Sequence, residues 1–163
     1  MAIDLESKSS QELENIVANH RRLKKYGAPL FLAALVLLER RKAGGFDIEK
    51  TVRIIRGYAV DRKFISYKDI ADASGLEWSR IHWTVGPHLV NVCEFAHGKG
   101  WPLLSEIVVN TDKIDTGEMK AANSEAFVEA AEIVGRDVGA YRTRFVRSEQ
   151  QRVFDWATSE AAI

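Results

Sequence analysis

The sequence is short of the features that usually announce an activity. It has one cysteine, three prolines and no excess of either charge. A single thiol, Cys93, cannot close an intramolecular disulfide, so a disulfide-stapled fold is excluded and the usage fits a reducing compartment. The longest apolar stretch, Leu30–Leu38, is about half of the roughly 20 residues a spanning helix needs, and no charged-then-apolar leader opens the chain. The expectation is a soluble, cytoplasmic protein with no membrane partner. Glycine-rich phosphate loops, nucleophile elbows, paired catalytic carboxylates, repeats and low-complexity segments are likewise missing. Catalysis is therefore unsupported, and no cofactor is expected.

What is present suits one compact unit. At 163 residues and 46% hydrophobic, the chain is long enough for a sizeable core. A single domain over 1–163 is expected, with a helical N-terminal part (9–63), a winged helix (64–120) and C-terminal helices (121–163). The cancelling charges are unevenly placed. Residues 1–65 hold 13 Lys/Arg against 8 Asp/Glu, and residues 66–163 hold 10 against 15.

The most specific stretch is Ser66–Gly86, which carries the spacing of a helix-turn-helix. Ser66 and Asp69 form a near capping box, because the hydroxyl can accept from freed first-turn amides. Ile70 and Ala71 face inward, Gly75 permits a positive φ where the first helix ends, and Leu76 anchors the turn. Ile81, Thr84 and Val85 recur at helical spacing, which leaves Ser79, Arg80, His82 and Trp83 outward.

Three helices are expected before this motif. Ser9 with Glu12 caps one over residues 9–26, ended by Gly27. Pro29 opens a second, apolar nearly all round over Leu30–Lys42 and broken at Gly44-Gly45. Asp47 caps a third that continues to Arg62. The basic run from His20 to Lys25 can grip phosphate, but cations also suit the last turn of a helix. Arg53, Arg56, Arg62 and Lys63 add positive charge to the same region.

After the motif, Gly86-Pro87 is expected to interrupt the helical pattern. His88, Leu89, Val92, Cys93 and Ala96 then line a helix to Gly98. Leu103–Val109 reads as a strand and Asn110–Gly117 as a polar loop. Helices follow near Ser124–Val134, capped by Ser124, and Ser148–Thr158, where Val153, Phe154 and Trp156 are expected packing contacts. The fold class is thus mainly α with a small β element: a winged helix-turn-helix packed on three N-terminal helices and on C-terminal helices.

Ile65-Ser66-Tyr67-Lys68-Asp69-Ile70-Ala71 resembles the start of the DNA-binding module in methylated-DNA–protein cysteine alkyltransferases and the non-catalytic alkyltransferase-like proteins. Val85-Gly86, with Asn91, resembles that family's recognition helix and its exit. The resemblance covers residues 64–134 and implies a phosphate-adjacent tyrosine at Tyr67; a buried helix-start tyrosine is the alternative. In the family, a proline-cysteine-histidine-arginine sequence leads the strand that places an alkyl-accepting thiolate beside a flipped base. Leu103–Val108 offers no thiol there, so alkyl transfer is not expected. Trp83 stands where the family has an arginine that fills the gap left by the base. A tryptophan can wedge between bases, or it can pack in a core or an interface.

Two functions follow. The first is non-catalytic DNA binding, with Tyr67, Lys68, Ser79, Arg80, His82 and Trp83 on the duplex and Lys113 touching backbone from the wing. Arg80 would read bases, since a guanidinium bonds guanine bidentately. The alternative is a protein-interaction module, an adaptor or inhibitor that docks through Trp83. It is favoured because residues 66–110 pair only Lys68, Arg80 and Lys99 with Asp69, Asp72, Glu77, Glu94 and Glu106, and phosphate neutralisation dominates DNA affinity. Cys93 and His97, four apart, with His82 and His88 make a metal-like set, but Pro87 works against their convergence, and no metal site is expected. A buried, inert Cys93 is the preferred reading.

Overall fold

The computed structural model describes residues 3–42 and 45–159. Helix α1 (Ser10–Arg22) starts at the reciprocal box foreseen for Ser9: its Oγ accepts from Glu12 N at 3.1 Å, and the Glu12 carboxylate accepts from Ser9 N at 2.7 Å. It ends before Gly27, because Lys24 adopts a left-handed φ of 53°. Lys24 N and Lys25 N then close on the carbonyls of Arg21 and His20, which satisfies the last turn. Pro29 opens α2 (Pro29–Arg41), where a missing amide costs nothing. Of the break expected at Gly44-Gly45, Gly44 lies outside the described residues and Gly45 has φ +71°. Asp47 accepts from Lys50 N at 3.0 Å to cap α3 (Ile48–Val60).

The motif follows as strand β1 (Ile65–Ser66) and helices α4 (Tyr67–Ala73), α5 (Trp78–Ile81) and α6 (Val85–Gly98). Ser66 Oγ accepts from Asp69 N at 3.0 Å, and Asp69 accepts from Ser66 N at 3.2 Å. Gly75 takes φ +74° at the end of α4. The second motif helix is a single turn that ends at Ile81 and does not run on through Thr84 and Val85 as their spacing leads one to expect, and Gly86-Pro87 does not interrupt what comes next. Both sit in the first turn of α6, where the amide that proline lacks has no helical partner to lose.

Leu103–Val109 departs from its expected strand. Leu104–Ile107 is a 3₁₀ turn and only Val108–Val109 (β2) is extended. Burial explains this: Leu103, Leu104, Glu106 and Ile107 are enclosed, so their β-branched and apolar content reports a core position rather than strand pairing. The backbone finds side chains instead. Leu103 N donates to Glu149 at 3.1 Å, and Gln150 Nε2 donates to the carbonyls of Glu106 and Gly117 at 3.1 and 2.7 Å. β2 pairs with β1 in parallel, Ile65 opposite Val108 and Ser66 opposite Val109. Among the described residues no antiparallel wing hairpin forms. Asn110–Gly117 instead contains a 3₁₀ turn at Thr111–Lys113, and Gly117 lies against the Phe64 ring at φ +69°, where a Cβ would collide.

Helix α7 (Ala121–Ile133) begins three residues before Ser124, whose amide bonds to Lys120 O, so Ser124 is an interior residue and not the cap. Helix α8 (Arg142–Ala157) also starts earlier than Ser148, and it buries Val153, Phe154 and Trp156 as expected. Among the described residues the protein is mainly helical with one small sheet. One hydrophobic cluster joins Leu13 and Phe31 through Ile55, Ile70, Leu104 and Ile107 to Ala157; each such large side chain contributes about 1.5–3 kcal/mol by burial. No described helix is long and apolar enough to cross a membrane.

Candidate functional site

The outward motif residues divide between a surface and a pocket. Lys68, Ser79, Arg80, His82 and Trp83 are exposed. The cations there each hold a nearby carboxylate. Lys68 Nζ lies 2.9 Å from Asp72, Arg80 Nε 3.1 Å from Glu77, and Lys113 Nζ 3.3 Å from Glu118. Ser79 Oγ also donates to Glu77, at 3.2 Å. Such exposed pairs contribute about 0–1 kcal/mol, so they break readily, yet while formed they cancel the field a phosphate would meet.

Trp83 is 65% exposed. It lies in no core. Its ring meets His82 edge-on at 5.1 Å, and His82 leans on Trp78 at 5.8 Å. With Phe46, Pro87 and His88 it borders a hollow of about 180 Å³.

Tyr67 leaves this surface and turns inward. It lines a pocket of about 120 Å³ with Gly86, Val90, Ser105, Asn123 and Phe127, a volume on the scale of cavities that take about one aromatic ring. Burial first, then the neighbouring Glu106 carboxyl group, pushes its hydroxyl up to about 12, so it stays a neutral hydrogen-bonding group. Asn123 Nδ2 donates to Asn110 Oδ1 at 2.7 Å at the pocket's edge. Ser105 and Asn123 were not foreseen, because α7 and the 3₁₀ turn reach Tyr67 only through tertiary packing.

Cys93 and Ser105 form a pair with Sγ and Oγ 2.9 Å apart. Burial is the main cause that pushes the thiol up to about 11. It is therefore protonated at neutral pH and unfit as a nucleophile. Deeper still lies Glu106, fully buried with neither oxygen hydrogen-bonded among the described residues. Burial, and then the nearby Glu149 carboxylate, holds its pKa well above the usual range.

The histidines are dispersed. His82 is on the surface, and His97 Nδ1 accepts from Arg136 Nε at 3.2 Å. His88 belongs to a buried chain that links α1, α2, α3 and α6. Its Nδ1 lies 3.0 Å from Glu39 Oε1 and its Nε2 2.8 Å from Thr51 Oγ1. A carboxylate only accepts, so the Nδ1 proton lies toward Glu39. Asn91 donates to Glu39 at 2.7 Å and accepts from Arg21 at 3.0 Å, and Arg21 forks onto Glu94 at 2.7 and 2.8 Å. Phe46 stacks on His88 at 4.5 Å. Among the described residues no group of three or more metal-type side chains converges. No family model, curated protein or solved structure matches the chain.

Proposed function

We propose that the chain is a non-catalytic, cytoplasmic DNA-binding protein that receives an unstacked base. One observation carries this reading: the exposed Trp83 stands three residues before Gly86, which lines the ring-sized pocket of Tyr67, Ser105 and Asn123. An exposed aromatic wedge and a ring-sized pocket built from the same motif suit a protein that separates one base from its neighbours, since apolar and aromatic side chains unstack steps and pockets read the extruded base. Ser79, Arg80 and His82 share the wedge's surface, and Lys68 and Lys113 supply backbone contacts once their carboxylates let go. No reaction is assigned, because the pocket offers a serine hydroxyl beside a protonated thiol. Kinship with the alkyltransferase-like proteins is part of this proposal and rests on the Tyr67 motif, Val85-Gly86 and Asn91.

A duplex carrying 2-aminopurine, titrated across salt concentrations, tests the reading. Binding that weakens steeply with salt and brightens the 2-aminopurine is expected. Trp83→Ala should bind with little brightening. Absence of binding at low salt would sink the proposal.

The paired state of Lys68, Arg80 and Lys113 favours a second reading, in which Trp83 anchors a protein partner. Capture of partners from the native host, repeated with Trp83→Ala, separates the two; an unchanged set of partners counts against it.

A further inference from the structure

We propose that the trough between α2, α3 and the end of α6 is a docking site for an acidic, amphipathic peptide segment of a partner protein. The trough is an open depression of about 750 Å³, more a groove for a chain segment than a cavity that buries a small molecule. Its floor is apolar. Leu32 and Val36 stand one turn apart on α2, beside Phe95 and Trp101, whose rings meet edge to face at 6.1 Å. Arg53 from α3 and Lys99 at the end of α6 form the rim. Neither makes an ion pair or a side-chain hydrogen bond among the described residues. Lys99 only leans over Phe95, its Nζ 5.6 Å from the ring centroid. Glu49, the acidic lining residue, faces Arg40 at 3.9 Å.

This charge arrangement selects the occupant. Two cations with no carboxylate partner among the described residues, lining the trough with apolar side chains, complement a segment that carries carboxylates beside aliphatic or aromatic anchors. Leu32 and Val36 offer helical spacing, into which a partner with the same spacing interdigitates. A nucleic-acid backbone would satisfy the rim and leave the floor wet. The proposal does not depend on the DNA reading, because the trough shares no residue with the Trp83 surface or the Tyr67 pocket.

A display selection of random dodecapeptides on the intact chain tests it, with Arg53→Glu/Lys99→Glu as the counter-target. Both positions are exposed, and circular dichroism checks that the double variant folds. Enriched peptides are expected to carry Asp or Glu beside Leu, Phe or Trp, and to bind the double variant about tenfold more weakly. On the parent chain they should shift the amide resonances of Val36, Val52 and Gly98. No enrichment, enrichment of basic or purely apolar peptides, equal binding to the double variant, or shifts confined to Trp83 would each overturn the proposal. Trough shifts on adding a short duplex, with no peptide enriched, would make it a phosphate surface instead.

Discussion

Two buried glutamates sit in opposite surroundings. Glu39, on α2, receives the His88 ring at 3.0 Å, Asn91 at 2.7 Å and the Lys42 ammonium at 3.2 Å. Glu106, in the 3₁₀ turn before β2, receives no donor from the described residues and lies near Glu149, another carboxylate. Burial raises both pKa values. At Glu39 the bonds and charges of His88, Lys42 and Asn91 outweigh it and leave the pKa below its usual value, whereas at Glu106 nothing does. Enclosure alone thus says little about charge: at Glu39 the partners favour the ionised carboxylate, which ties helices together, and at Glu106 burial favours the protonated carboxyl.

The largest effect is expected at the partnered group. Glu39→Ala strands His88 and Asn91 and should cost about 3 kcal/mol, read as a lower urea midpoint at unchanged m. A loss under about 1 kcal/mol would mean the network is slack. A smaller effect of opposite sign is expected at the other. Glu106→Met, close in volume, removes an unsatisfied carboxyl and should stabilise by about 1–2 kcal/mol at neutral pH.

The pH dependence sharpens the contrast. Glu106 has a folded pKa above its unfolded value of 4.5. The stability linked to its retained proton is full below that value and is lost as pH rises toward the folded pKa. Glu39 is reversed: its contribution is present above 4.5 and is lost as pH falls through its lowered folded value. The gain from Glu106→Met should therefore grow with pH from about 5 upward, by at most roughly 1.4 kcal/mol per unit. A gain that stays flat between pH 5 and 8 would mean that Glu106 is ionised in the fold.

Much of the helical framework was legible because its signals are local. Ser9 with Glu12, Ser66 with Asp69, and Asp47 act within three residues, so capping appears directly in the letters. Leu103–Val109 misled for a physical reason: apolar, β-branched content marks burial, and it marks a strand only where a neighbouring strand is there to pair. Gly86-Pro87 misled because a proline breaks a helix interior and not a first turn. At the candidate site, exposure of Arg80 and Trp83 followed from helical periodicity. The pairing of Lys68 with Asp72 and of Arg80 with Glu77 was also within reach, four and three residues apart. The Tyr67 pocket and the Glu39–His88–Asn91 chain were not. Their partners lie 49 and 52 residues from Glu39, or come from α7 and the 3₁₀ turn, and no periodicity encodes such meetings.

The smallest stability effect is expected where both partners are wet. The Arg80 side chain is 81% exposed and that of Glu77 64%, so Arg80→Ala should move stability by less than about 0.5 kcal/mol. Its value lies in binding. If Arg80 leaves Glu77 to meet phosphate, the slope of log affinity against log salt should fall by about one in Arg80→Ala. Loss of preference for one base pair at about 1–3 kcal/mol would instead make it a base reader. Glu77→Gln probes the same step from the other side, because it frees the guanidinium without removing it. Higher affinity for duplex at low salt is then expected, and unchanged affinity would place Arg80 outside the interface, leaving Trp83 to a protein partner.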